Sequence, residues 1–130
     1  MELADFVREI PGVRVATPAD DDAIVRFFDA APMGTSSFEI QYLRGPSFFR
    51  LLRYQAELAR VVIAEKDGAV RGVATVSVRP GWVFGEPTRV GYLGDLRIAP
   101  DRRLLVQWRK VYAKVIAAAA TVEDLGCEHF

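Results

Sequence analysis

The sequence is poor in two residues that build metal and redox sites, with one cysteine, Cys127, and one histidine, His129. One cysteine cannot form a disulfide within the chain, and the pair falls short of the ligands of a structural zinc site. We therefore predict no metal site, a structural role for Cys127 and an exposed, idle His129. A chain that uses so little cysteine is typical of the reducing cytoplasm, where we expect it.

The sequence also lacks an excess of either charge, because 17 basic residues are balanced by 17 acidic ones. A general nucleic-acid binder usually carries a basic excess. No uninterrupted apolar run approaches the ~20 residues of a membrane span. The first residues include Glu2 and Asp5 instead of the basic stretch of a secretory signal peptide. We therefore expect neither nucleic acid nor a membrane as a partner.

The chain has enough apolar residues to form one small hydrophobic core, since it is 51% hydrophobic and 11% aromatic. Residues 3–10 predict either a short helical turn or a loose arm, and residues 13–17 a first strand. A helix follows, because Thr17 can cap its start and Pro18 suits its first position. The acidic residues 20–22 complement the helix dipole; consecutive positions on a helix diverge too much for a metal site. After a polar loop at residues 32–37, a second helix opens at Ser47.

The second half of the sequence predicts three strands, at residues 60–65, 70–79 and 88–98. Asp67-Gly68 predicts a hairpin turn between the first two, and Gly72 a bulge. Pro80-Gly81 predicts another turn, followed by a connection of undetermined shape at residues 82–87. The last strand begins at Thr88 and ends at Ile98, because Pro100 has no N–H for a ladder.

A long helix follows, with apolar residues at the i, i+3, i+4, i+7 spacing of one helix face from Leu104 onward. We expect it to run to about Leu125, where Gly126 suits a left-handed cap. The order is therefore β-α-α-β-β-β-α followed by an unfinished strand, an α/β (α+β) fold with a mixed sheet. Consecutive strands pair antiparallel, and the helix returns the chain for a parallel strand.

The segment from Leu96 to Arg103, Leu-Arg-Ile-Ala-Pro-Asp-Arg-Arg, resembles the strand-to-helix junction of the GNAT superfamily of N-acetyltransferases. In that family a hydrophobic strand, a proline and an arginine lead into the pyrophosphate-binding loop for acetyl-CoA. The element order agrees from about Val13 onward. The resemblance implies that residues 1–130 form a single domain, the N-terminal part of an acyl-CoA N-acyltransferase (GNAT) fold whose C-terminal half lies outside this chain. Val106 and Trp108 stand where the family has glycine.

The resemblance implies acetyl-CoA as cosubstrate and places it on this junction. Main-chain groups of the strand end would pair with the pantetheine amides. N–H groups of the first helical turns, with two arginine side chains, would receive the pyrophosphate. These cofactor-binding residues are Leu96, Arg97, Ile98, Arg102, Arg103, Leu104, Leu105 and Val106. Residues 89–114 hold seven basic and two acidic residues, which suit either a phosphate-attracting field or a solvated helix face.

Acyl transfer to an amine needs a base, and a carboxylate at the cleft mouth can take the proton. Asp95 on the last strand is the first candidate and Glu86 the second; each could equally be a surface or turn carboxylate. We interpret Tyr92 as a strand core residue, not as the general acid.

Two functions follow from the resemblance. The first is acetyl transfer from acetyl-CoA to an amine acceptor that the sequence does not identify. We expect the full-length protein to catalyse it and residues 1–130 alone to be inactive. The alternative is a non-catalytic GNAT-like structural or dimerising module that has lost acetyl-CoA binding, which Val106 and Trp108 favour. We also expect self-association through the edge of the 88–98 strand or through the long helix, because an uncovered strand edge recruits another chain.

Overall fold

Four strands build the main sheet, in the order β1-β4-β5-β6, in a computed structural model that describes residues 1–130. The strands are β1 Val13–Val15, β2 Met33–Gly34, β3 Glu39–Ile40, β4 Leu58–Lys66, β5 Ala69–Val83 and β6 Glu86–Ile98. The helices are α1 Leu3–Val7, α2 Asp21–Asp29, α3 Phe48–Gln55 and α4 Arg102–Ala118, with a 3-10 turn at Pro18–Asp20. None of these helices has both the length and the apolar character that crossing a bilayer requires.

All pairs in the main sheet are antiparallel, as predicted, and Asp67-Gly68 forms the β4–β5 turn with φ values of 54° and 76°. β2 and β3 pair as a separate small hairpin within the segment predicted as a loop. After Gly126, where a parallel strand was expected, the chain forms an isolated bridge to β6. His129 forms a parallel bridge with Val90, and the Gly91 N–H donates to the His129 carbonyl at 2.7 Å. The mixed α+β prediction is therefore confirmed.

The larger core lies between the sheet and helices α1 and α4, where 19 buried residues form one apolar cluster. Trp108 on α4 packs against Gly72 on β5, where a Cβ atom would come 2.5 Å from the indole Nε1. A register shift inserts Arg71 into β5 beside this glycine, so the predicted bulge lies there. Only a residue without a side chain leaves room for the indole at this crossing.

The opposite face of the sheet is covered by α2 and α3 over a smaller cluster of seven buried residues. The rings of Phe28 and Phe48 meet there with centroids 5.0 Å apart. The acidic run caps the 3-10 turn that leads into α2 and the start of α3. The Thr17 N–H donates to Asp20 Oδ2 at 2.7 Å, and the Phe48 N–H, at the start of α3, donates to Asp21 Oδ1 at 2.7 Å. The capping interpretation of residues 20–22 thus holds for the first two of them.

The structure corrects the prediction for residues 80–87. Pro80-Gly81 is not a turn, because β5 continues to Val83 and the chain reverses at Phe84-Gly85, with φ values of 51° and 80°. From residue 80 to residue 89 the two strands pair only with each other, and we call residues 79–89 the β5–β6 arm. Proline is tolerated there because each strand of the arm has one open edge.

The long helix is also shorter than predicted, since α4 ends at Ala118 and not near Leu125. The Ala118 carbonyl still accepts the Val122 N–H at 2.9 Å, but the Glu123 N–H donates to the Met1 carbonyl and the Ala119 carbonyl accepts the Cys127 N–H, both at 3.1 Å, so the helical ladder stops there. Val122 and Leu125 remain buried, as part of a turn. Gly126 has the expected positive φ of 58°.

The first residues form a packed helix instead of a loose arm. The Leu3 N–H donates to Asp124 Oδ1 at 2.9 Å, and Arg60 Nε donates to Asp124 Oδ2 at 2.9 Å. The amino group of Met1 pairs with Glu123 at 3.0 Å. We call these contacts the terminal clamp. It ties α1 to the turn after α4 and to β4.

Candidate functional site

A β-bulge in β6 lies at the centre of the candidate site. Gly94 pairs with Thr75 and Arg97 with Val73, so Asp95 and Leu96 together face one residue of β5. Asp95 adopts a φ of 52°, which aspartate tolerates better than most residues. Bulges of this kind re-aim side chains and are frequent next to active sites.

The Asp95 side chain is held by two partners. Arg44 Nη1 donates to Asp95 Oδ1 at 2.7 Å, and the Thr75 hydroxyl donates to Oδ2 at 3.2 Å. The Arg44 side chain is only 3% exposed; it also donates to the Phe48 carbonyl and lies 4.2 Å from that ring's centroid. Sequence reasoning missed Arg44, because its partner is 51 positions away and no local pattern marks it.

This arrangement limits what Asp95 can do chemically. Both of its oxygens already accept a hydrogen bond, and the guanidinium of Arg44 balances its charge. The carboxylate is nevertheless 21% exposed, so a small group can reach it. Burial, and to a lesser degree the charge of Asp95, raise the pKa of the Tyr112 phenol on α4. Asp95 therefore acts electrostatically on both faces of the sheet.

Glu86 lies far from this bulge, at the exposed first position of β6 opposite Val83. A strand rise of about 3.4 Å per residue puts Glu86 and Asp95 roughly 30 Å apart. The two candidate bases therefore do not belong to one site. Tyr92 is 63% exposed, so its interpretation as a core residue was wrong. Its ring lies over Gly94, where a Cβ would come 2.7 Å from Cε1, and not under a helix.

The free N–H groups at the start of α4 are capped by Asp101, the residue before the helix. Asp101 Oδ1 accepts the Arg103 N–H at 2.8 Å, and the Asp101 carbonyl accepts the Leu105 N–H at 3.1 Å. The hydrogen bond from the Arg103 N–H holds the pKa of Asp101 below its ordinary value. A further bond from the Leu104 N–H acts in the same direction, and partial desolvation of the carboxyl opposes both. The anionic group at this helix start is thus the carboxylate of Asp101, a side chain of the protein itself.

The two positions without glycine lie within α4. Val106 is 55% exposed and sits in the second turn, where its N–H belongs to the helix ladder. Trp108 is 2% exposed and belongs to the larger core. Arg102 and Arg103 form no ion pair. The arginines suit a pyrophosphate, but a helix stands where its loop would be, so the residues present do not fit this group.

The strand end predicted to bind pantetheine is the outer edge of the sheet, since β6 is its last strand. The Leu96 carbonyl accepts Arg97 Nη1 at 2.8 Å, so that acceptor is taken. Beyond Gly91, the outer backbone groups of β6 have no partner strand. The structure therefore brings Leu96, Arg97 and Ile98 to an open edge beside the capped start of α4.

A cavity of about 670 Å³ lies between α4 and the α1–β1 turn, and the predicted cofactor-binding residues Arg103, Leu104 and Val106 line it. Its charges alternate in sign: Lys114 pairs with Glu9, and Lys66 Nζ lies 3.8 Å from Asp101 Oδ2. A cavity with this mixture presents no field of one sign. We therefore place the candidate site at the β6 bulge and the start of α4.

Comparison with known proteins gives a match in structure only. No protein-family model matches the chain, and no curated protein has a detectably similar sequence. The aminoglycoside 6′-N-acetyltransferase of Acinetobacter haemolyticus aligns with a TM-score of 0.57 at 18% identity, covering 91% of this chain and 75% of that one. An acetyltransferase of Trypanosoma brucei aligns with a TM-score of 0.57 at 18% identity, covering 90% of this chain and 78% of that one.

A structural match at such low sequence identity establishes the fold alone. The chemistry has to be argued from the residues of this chain. About nine-tenths of the chain takes part in each alignment. The chain therefore has the GNAT-like mixed α+β fold of the N-acetyltransferases that it resembles.

Proposed function

We propose that the chain is a non-catalytic GNAT-like module that does not bind acetyl-CoA. The observation that carries this proposal is the Asp101 cap, whose carboxylate accepts the Arg103 N–H at the start of α4. In a fold of this type a pyrophosphate would dock there, attracted by free N–H groups and the helix dipole. A carboxylate in that place both uses an N–H group and repels a second anion.

The helix behind the cap supports the same conclusion. Only three residues, 99–101, separate the end of β6 from the start of α4, which leaves no length for a glycine loop. Forming such a loop would unwind the turns that carry Leu104 and Trp108 into the core. Because burying the Trp108 indole stabilises the whole domain, this rearrangement would cost more than a phosphate contact returns.

Titration calorimetry of the 130-residue chain with acetyl-CoA tests the proposal. We expect no heat of binding at low salt, where phosphate contacts are strongest. Asp101→Asn keeps a capping side chain but removes its charge, and Asp5→Asn is the matched control outside the site. Micromolar binding that Arg103→Ala weakens would overturn the proposal. Binding by Asp101→Asn alone would identify the carboxylate as the group that excludes the cofactor.

A second candidate, acetyl transfer from acetyl-CoA to an amine, is favoured by the β6 bulge. The bulge presents a partly exposed carboxylate, Asp95, beside an open strand edge, and such a carboxylate can accept a proton from an amine. Release of free thiol from acetyl-CoA measures this reaction for a panel of amines. Turnover that Asp95→Asn abolishes and Glu86→Gln leaves unchanged would establish it; absence of thiol release agrees with the non-catalytic module.

A further inference from the structure

The tip of the β5–β6 arm carries two large aromatic side chains that the domain leaves exposed. Phe84 is fully exposed and Trp82 is 73% exposed. Trp82 lies opposite Pro87, and residues directly opposite each other in an antiparallel pair share one face of the ladder. Between residues 80 and 88 the only charged side chain is that of Glu86. The arm therefore ends in an aromatic and nearly uncharged tip.

The backbone at this tip is strained in order to hold a phenylalanine. Phe84 has a φ of 51°, which bulky residues rarely adopt and which glycine or asparagine adopts far more readily. Because the side chain is fully exposed, no packing within the chain offsets the strain. Strained residues of this kind cluster at active sites and ligand clamps. A contact outside the chain would supply the stabilisation that Phe84 lacks inside it.

Neither neighbour of the two strands in the main sheet reaches the tip. β4 begins at Leu58, opposite Val78, so β5 extends past it from residue 79 onward. On the other side, the bridge of Val90 with His129 is parallel, so that segment runs along β6 toward α4 and away from the arm. The tip thus projects beyond the sheet on both of its sides.

The arm is poorly suited to the addition of a strand. Pro80 lies on one strand of the arm and Pro87 on the other, and proline has no N–H to donate to a neighbouring strand. Proline on an open edge is a common protection against strand pairing. A contact at the tip is therefore made by side chains, and those of Trp82 and Phe84 dominate its surface.

The aromatic surface of the tip is small for a protein partner. At their exposures, Trp82 and Phe84 together present roughly 300–450 Å². A partner that covered both would bury roughly 600–900 Å² in total, whereas stable protein interfaces bury about 1,200–2,000 Å². Insertion into a lipid surface needs no complementary partner of that size, because the acyl chains close around the side chains. Tryptophan is also enriched where one end of a side chain is apolar and the other wet, as at the membrane interface.

The charges of the arm fit zwitterionic lipid headgroups. Arg79, at the base of the arm, and Glu86, near its tip, take part in no ion pair and balance each other. Five residues separate Arg79 from Phe84, a distance of roughly 17 Å along an extended strand. Interfacial elements enter the headgroup and acyl boundary by about 5–10 Å. With the tip at that depth, the long side chain of Arg79 is within reach of the lipid phosphates.

We propose that the β5–β6 arm inserts Trp82 and Phe84 into the surface of a zwitterionic lipid bilayer, with the domain itself outside. From the sequence we expected no membrane partner, because no apolar run can span a bilayer, but a tip that enters only the interface needs no such run. The arm lies at the opposite end of β6 from the start of α4. The proposal therefore goes beyond the proposed function and does not depend on it.

Intrinsic fluorescence with phosphatidylcholine vesicles tests this proposal, because the two tryptophans of the chain differ in exposure. Trp108 is buried, so a change on adding vesicles reports on Trp82. We expect a blue shift and protection from acrylamide quenching that added salt does not reverse, since salt screens charges and not apolar insertion. Trp82→Phe should remove the fluorescence change. An unchanged spectrum, or a shift that persists in Trp82→Phe, would overturn the proposal.

Phe84→Asn separates vesicle binding from folding. It relieves the strained φ and should leave the domain at least as stable, but it should lower the partition into vesicles by about tenfold, the loss expected for one inserted aromatic side chain. Phe38→Asn is the matched control, because Phe38 is 57% exposed and lies outside the arm. Its partition, measured by co-sedimentation, should not change. Equal losses in the two variants, or full binding by Phe84→Asn, would refute the proposed site.

Two further measurements distinguish the bilayer from other occupants. Light scattering without vesicles should show a monomer; a dimer that Phe84→Asn dissociates would replace the bilayer with a second copy of the chain. Vesicles made of equal parts phosphatidylcholine and phosphatidylserine should bind no more tightly than phosphatidylcholine alone. Binding only to the vesicles that contain phosphatidylserine would contradict the proposal, because it would show that charge attracts the chain and not aromatic insertion.

Discussion

The two faces of the main sheet are built from different interactions. The α4 face is an apolar cluster whose central contact is the Trp108 indole against Gly72. The α2–α3 face has a smaller apolar cluster and places charges beside it: the buried pair of Arg44 with Asp95, and Arg14 between Asp20 and Glu65. Apolar packing dominates on the α4 face, and ion pairs lie beside the apolar cluster on the α2–α3 face.

This difference has a functional meaning in a fold of the GNAT type. The helix start where a pyrophosphate would dock in such a fold belongs to the α4 face, and there the Asp101 side chain accepts the Arg103 N–H. The bulge that exposes Asp95 opens toward the other face, and there polar groups remain. The helix cap and the larger apolar cluster thus lie on one face of the sheet, and the partly exposed Asp95 carboxylate lies on the other.

The largest expected effect is on the α4 face. Trp108→Ala should lower the free energy of unfolding by about 3–5 kcal/mol, because it removes a buried indole and leaves a cavity over Gly72. Urea denaturation followed by circular dichroism measures it. Trp82→Ala is the matched control, since that indole is 73% exposed, and should cost much less. A small loss at Trp108 would show that this face is not closed by packing.

Removing one partner of the buried ion pair should have the next largest effect. Arg44→Met leaves the Asp95 carboxylate without its counter-charge and should cost about 2–4 kcal/mol, less than a fully buried pair because Asp95 retains some exposure. The double variant Arg44→Met with Asp95→Asn should recover part of the loss. Arg50→Met, on an arginine without an ion pair, is the control. Equal stabilities of the single and double variants would argue against charge as the organising interaction.

Acid should weaken the α2–α3 face selectively. Hydrogen bonding to Arg14, helped by bonds from Thr17, lowers the pKa of Asp20 to about 2. Because the folded pKa lies below the unfolded value of 3.8, the stabilisation is complete above about pH 4 and disappears as the pH falls through about 2. Allowing for the exposure of Arg14, we expect a loss of about 1–2 kcal/mol.

Urea denaturation of the wild type and of Asp20→Asn across that range checks this expectation. The difference between their stabilities should shrink as the pH falls, since protonation makes the two side chains alike. A difference that stays constant with pH would mean that Asp20 acts through its capping geometry alone.

The smallest expected effect lies outside both faces, at the tip of the β5–β6 arm. Phe84 is fully exposed and holds a positive φ that a bulky residue adopts only under strain. Phe84→Asn creates the Asn-Gly sequence that this turn prefers and should raise stability by about 0.5–1 kcal/mol. Phe38→Asn, on an exposed aromatic residue without a positive φ, should give no such gain in thermal denaturation. A gain from both variants would trace the effect to solubility.

Elements marked by local chemistry could be read from the sequence. Asp67-Gly68 predicts its hairpin because two residues suffice to form the turn, and Thr17 with Pro18 predicts a helix start for the same reason. The α4 periodicity was sufficient to find the helix but not its end, because that end depends on the distant bond from the Glu123 N–H to the Met1 carbonyl. Pro80-Gly81 was misleading, since the arm leaves an edge on which proline is tolerated.

The candidate site depended on distant contacts and was therefore harder to predict. Asp95 was named from its position on the strand, but its partner Arg44 comes from the segment before α3. Glu86 looked close in the sequence and lies at the far end of the same strand. The Trp108 contact needed the position of Gly72, which only the fold supplies. The roles proposed for Asp95 and for the α4 start stay predictions.

The terminal clamp has a consequence for how the chain folds during synthesis. Leu3 finds its acceptor, Asp124, 121 positions later. At about 5–20 residues per second, translation leaves α1 without that partner for roughly 6–24 s. Leu3 and Val7, both fully buried in the finished domain, lack the α4 side of their packing through this interval. The helix made earliest in this domain therefore completes its packing only when the turn after α4 has been made.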